Sequence, residues 1–152
     1  MRIFLLVSAL EGILFKDSIK EKLKVAGKSK TIAECFIQVS RDAGYRWQFL
    51  VNNKYFESTK FDQEGHDKEL RDFIISAYGY RNNVAHPEKI GDLNFRPEFQ
   101  YENLDESIKK NRLEQLIIEW FPKFLRVLLK IWVEKRFKDK DEWYNYLESL
   151  FK

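Results

Sequence analysis

Three residues in the middle of the chain, Arg81, Asn82 and His86, combine side chains that can handle a phosphate and a proton. An arginine stays charged at any working pH. Its planar fork can hold a phosphodiester and offset charge growing on the phosphate oxygens. A histidine takes or gives a proton near neutrality. An asparagine orients either group or bonds to phosphate or sugar. The set suits cleavage of RNA in which the 2′-hydroxyl attacks the adjacent phosphorus and leaves a 2′,3′-cyclic phosphate. No cluster of metal ligands accompanies these residues in the sequence, so the expected chemistry uses no metal and no cofactor.

Spacing constrains how such a site is built. On an α-helix, Asn82 and His86 share a face, whereas Arg81 is turned from His86 by about 140° and roughly one and a half turns. One copy does not close the three into a compact site. Two copies related by a two-fold axis need less distortion. The same residues also have a purely structural reading: Arg81 and His86 complementing a helix macrodipole, with Asn82 or Asn83 bonding to orphan carbonyls.

The elements that position them are helical. Leu70, Phe73, Ile74, Ala77 and Tyr78 form one apolar stripe ahead of the cluster. Asp67 is placed to cap that helix, and Pro87 ends it while biasing His86 away from helical geometry. "SIKE" (Ser18 to Glu21) and "TIAE" (Thr31 to Glu34) read as capping boxes, with Gly27 ending the first of these helices and Gly44 the second. Tyr45 to Phe56 reads as a short amphipathic stretch. A polar loop spans about residues 57–66, where His66 reads as a solvated turn residue, and a second loop runs from Glu88 to about Tyr101. "NLDE" (Asn103 to Glu106) starts the longest pattern, which continues through Leu113, Ile117, Phe124 and Leu128 to Trp132. Pro122 either kinks or divides it. A last helix is expected over Glu142 to Leu150. No period-two alternation lasts long enough for a strand, and no repeat or linker interrupts the chain. The expectation is an all-α bundle of five to seven helices in a single domain over residues 1–152.

Composition bounds the function classes. The 152 residues, 44% apolar and 16% aromatic, are enough to build a core. The formal charge of +3 permits nucleic-acid binding without demanding it. Cys35 is the one cysteine, which leaves no disulfide framework or cysteine zinc site and makes a reducing, cytoplasmic interior the expected setting. No apolar run reaches the roughly 18 residues of a membrane span. "MRIFLLVSALEGILF" is interrupted by Glu11, unlike a secretory signal. It begins helical with no room for a cap, so the chain is expected to be the C-terminal part of a longer protein, with a frayed native N-terminus as the alternative. Glycine-rich phosphate loops, HExxH and GxSxG are absent.

"RNNVAH", residues 81–86, resembles the Arg-Asn-x-x-x-His motif of HEPN domains, all-α proteins of toxin–antitoxin, CRISPR-associated and anti-phage systems. It ends the long helical stretch "ELRDFIISAYGYRNNVAH". The opening "FLLVSALEGIL" is similar to the first helix of the Apea-like HEPN group, and about seventy residues separate the two segments, as in that group. The resemblance implies a four-helix core with additional helices and a homodimer that brings two motifs together. It further implies metal-independent endoribonuclease activity, or an inactive RNA-binding or scaffold module. Arg81 and His86 carry over as catalytic residues and Asn82 as the polar motif residue. Glu11 carries over as a supporting residue that orients Arg81 or His86, or else lies on the exposed side of its helix. Pro87 departs from the many members with a small residue after the histidine. A cognate antitoxin or an N-terminal regulatory domain is an expected partner, alongside RNA. Lys16, Lys20, Lys24, Lys28 and Lys30 are candidates for tracking RNA, or a solvated face interleaved with Asp17 and Glu21.

Overall fold

The computed structural model describes residues 2–24, 27–45, 47, 63–85 and 106–151. Six helices make up these residues, with no strand among them: α1 (Arg2–Leu14), α2 (Asp17–Leu23), α3 (Lys28–Asp42), α4 (Gln63–Ala85), α5 (Glu106–Lys135) and α6 (Lys140–Ser149). The fold is all-α, as the periodicity implies. The expected Tyr45–Phe56 stretch and the 88–101 loop lie largely or wholly outside the described residues.

Each apolar stripe buries where its spacing aims it. α3 lies along α4 and α1 along α5, while α1 also meets α3 and α4. Phe36 of α3, Phe73 of α4, and Phe121 and Phe124 of α5 are fully buried. Their rings meet at the centre of the bundle, with centroids 4.5 Å apart for Phe36–Phe124 and 5.5 Å for Phe73–Phe121. Tyr80, not Tyr78, completes the buried face of α4; Tyr78 is only partly covered.

The helix starts differ from the expected caps. α2 begins after Lys16, so Ser18 lies inside the helix and its hydroxyl donates to Glu148 of α6. Gly27 does not end that helix but opens α3 at φ +91°, a conformation that favours glycine. Thr31 then falls one turn inside α3, where its hydroxyl donates back to the Gly27 carbonyl at 3.1 Å. Asp67 is likewise buried inside α4, paired with Arg41, and His66 belongs to the helix rather than to a turn. Carboxylates that resemble caps in sequence are used instead to join helices: Glu34 pairs with Arg71 as Asp67 does with Arg41.

Pro122 does not divide α5, which is one helix of 30 residues. The proline costs the Ile118 carbonyl its helical donor, and Ile118 lies on the outer side at 36% exposure, where water can serve that oxygen. α6 is held at both ends. The indole of Trp143 donates to the Ile13 carbonyl at 2.7 Å and the Tyr144 hydroxyl to the Gly12 carbonyl at 2.8 Å, filling orphan acceptors at the C-terminus of α1. The Lys22 ammonium of α2 donates to the Glu148 carbonyl at 2.9 Å.

Candidate functional site

α4 ends at Ala85, where Pro87 is expected to stop it, and Arg81 sits just over one turn before that end. Its side chain turns onto α1. One terminal nitrogen, Nη1, pairs with the Glu11 carboxylate and lies 3.4 Å from the Ser8 hydroxyl. Nη2 donates to Asn82 Oδ1 at 3.0 Å. The Tyr78 ring lies 4.2 Å from the guanidinium carbon and the Phe4 ring 5.8 Å from it, a cation held between aromatic faces. Only 12% of the arginine side chain is exposed, and its Nε is buried without a hydrogen-bond partner among the described residues.

Glu11 is the hub of the cluster. It faces α4 rather than solvent, and its other oxygen lies 3.8 Å from the Lys28 ammonium, at the first residue of α3. Lys28 is half-exposed and lies 5.2 Å from the Phe15 ring. Two cations share one carboxylate, so the cluster keeps a net positive charge. The first turn of α3 adds to it, having no acidic residue and no side-chain cap. Such a cluster favours an anion.

Arg81, Asn82, Glu11 and Lys28 are therefore brought together. His86 lies outside the described residues. Lys16 is elsewhere, over the Tyr144 ring of α6 at 5.2 Å. Lys20, Lys24 and Lys30 ride on α2, its left-handed C-cap and the first turn of α3, and make none of the contacts that define the cluster. Arg81 lies just before the last turn of α4, which carries no basic residue, and the bonds just described run to side chains.

Ser8, Phe4 and Tyr78 are neighbours of Arg81 that residue type alone does not single out. Their signal was helical spacing: Tyr78 is three residues before Arg81, and Phe4 and Ser8 are seven and three before Glu11, each on the matching face. Tyr80 adds a further link between helices, donating to Glu114 of α5. Burial first, then that bond, raises its hydroxyl to about 12.

No group of His, Cys, Asp and Glu able to hold a metal occurs among the described residues. No helix among them is long and apolar enough to cross a membrane. No family model, curated protein or solved structure matches this chain.

Proposed function

We propose that this chain is a HEPN-like, metal-independent endoribonuclease whose working site is composed from two copies. The observation that carries the reading is the setting of Arg81. A guanidinium is fixed by Glu11 and the Tyr78 ring near the end of α4, bonded to Asn82 and five residues before His86 in the motif "RNNVAH".

Arg81 holds the scissile phosphate and offsets the charge that grows on its non-bridging oxygens. One His86 removes the proton from the 2′-hydroxyl, whose oxygen attacks phosphorus. The bond from phosphorus to the 5′-oxygen breaks, and that oxygen takes a proton from the second His86. The products are a 2′,3′-cyclic phosphate and a free 5′-hydroxyl. Asn82 and Glu11 fix the arginine's orientation. The two-fold arrangement answers the angular offset between Arg81 and His86. A toxin or anti-phage role in the cytoplasm, restrained by an antitoxin or an N-terminal domain, fits an RNA-cleaving chain.

A second reading, a catalytically silent module that binds RNA or a protein, is favoured by one observation. The outer nitrogens of Arg81 are already bonded to Glu11 and Asn82, so a phosphate must compete for them.

Cleavage of a mixed RNA pool in EDTA separates the two. The wild type is expected to cut and to leave cyclic phosphate ends, with Arg81→Ala and His86→Ala each losing at least a hundredfold in rate. Cutting that persists in both variants removes these residues from the chemistry. A folded wild type that cuts nothing selects the silent module.

A further inference from the structure

On the side of α1 away from the Arg81 cluster, α1, α5 and α6 enclose an apolar groove of about 460 Å³, within the range of small-molecule sites. Its floor and walls include Gly12, Ile13, Leu128, Trp132 and Trp143, and Leu129, 58% exposed, stands at its edge. The polar atoms at this end of α1 are already served, since Trp143 and Tyr144 fill the Ile13 and Gly12 carbonyls. The interior therefore offers an occupant apolar surface and no open hydrogen bond.

Among the side chains that line the groove, one carries a charge, and it is positive. Lys140 is the charged side chain that lines the groove. Lys16 brings a second ammonium to the Tyr144 wall, 5.2 Å from the ring. Two of the nearby carboxylates are committed to the start of α6: Asp139 accepts from the Glu142 amide at 2.9 Å, and Glu142 accepts from the Lys138 amide at 2.8 Å. Asp141 is exposed, and all three carboxylates lie along the start of α6 rather than on the groove lining.

From a dry apolar interior beneath cations, we infer that this groove binds an amphipathic monocarboxylate. Its aliphatic or aromatic body lies on Leu128, Trp132 and Trp143, and its carboxylate meets Lys140, with Lys16 adding to the field. Burial of the apolar body supplies most of the affinity, and the ammonium groups select the sign of the head group. The inference does not rest on the ribonuclease reading, because the groove and the Arg81 cluster use different sides of α1.

Dodecanoate, at submicellar concentration and followed by tryptophan fluorescence, is the probe. Saturable binding is expected, with 11-bromoundecanoate quenching the signal because Trp132 and Trp143 line the groove. Gly12→Leu projects a side chain into space where an added Cβ meets nothing within 4 Å. It should keep the helical circular dichroism while weakening binding at least tenfold. Lys140→Glu should weaken dodecanoate about threefold to tenfold and leave dodecyltrimethylammonium, the weaker ligand of the wild type, as strong or stronger. Non-saturable binding, equal affinity for the two head groups, or unchanged binding by folded Gly12→Leu overturns the inference. So does a folded wild type that takes up no dodecanoate.

Discussion

α1 is tied to the bundle in two ways. On its α4 side, Phe4, Ser8 and Glu11 hold a guanidinium, with one carboxylate serving two cations and Arg81 Nε without a partner among the described residues. At its C-terminal end, Gly12 and Ile13 are held by neutral donors from α6, carbonyl by carbonyl. The first set is over-subscribed, with two cations on one carboxylate. The second is matched in number and has no reason to move. α1 thus has one end closed by neutral bonds and, on another side, a charged contact with more cations than carboxylates.

Breaking the matched end should cost most. Trp143 is fully buried, so Trp143→Ala removes both packing and a donor and should lower unfolding free energy by about 4 kcal/mol in urea titrations. Trp143→Phe keeps a ring and loses the bond to Ile13, for about 1–2 kcal/mol. If the two variants are equally destabilised, packing is not what holds α6.

At the charged cluster the asymmetry reverses which partner matters. Glu11→Ala leaves the Arg81 charge largely buried and should cost about 2 kcal/mol. Arg81→Met leaves Glu11 with Lys28 and should cost less. The double variant should lie close to Arg81→Met alone, a coupling that a thermodynamic cycle measures directly. Strict additivity would show that the pair is not energetically joined.

The smallest effect is alkaline and tests the core between the two regions. Burial, reinforced by Glu34, raises the Cys35 thiol from 9.0 to about 12. The folded chain thus keeps a proton that the unfolded chain releases. This contribution to stability is whole below about pH 9 and is lost as pH rises toward 12. Urea midpoints from pH 8 to 11 should fall more steeply for wild type than for Cys35→Ala. Parallel slopes would mean that the thiol is not held protonated.

How much of this was legible in the sequence follows from the range of the interactions. Stripes such as Leu70, Phe73, Ile74 and Ala77 report burial directly, because helical spacing alone decides which face is apolar, and all four are buried. The helix starts differ from the expected caps because a cap motif looks the same when it lies inside a helix. Ser18 and Asp67 instead bond to Glu148 and Arg41, residues that no local pattern connects to them. Arg81 and Asn82 stood out by type. That Glu11 faces Arg81 depends on two helices 70 positions apart meeting, which spacing within either helix does not encode. Lys16, Lys20, Lys24, Lys28 and Lys30 looked alike in sequence, and only Lys28 has Glu11 within reach.

The bonds from Trp143 and Tyr144 back to α1 have a further consequence for synthesis. They span 130 and 132 positions, so α1 waits for α6 to be synthesised before its end is closed. At ordinary translation speeds that interval is roughly 10 s. Throughout it α1, apolar on nearly every side, has no α6 to cover its final turn. The nascent chain should be a customer for co-translational chaperones, and its release from them should coincide with the emergence of α6.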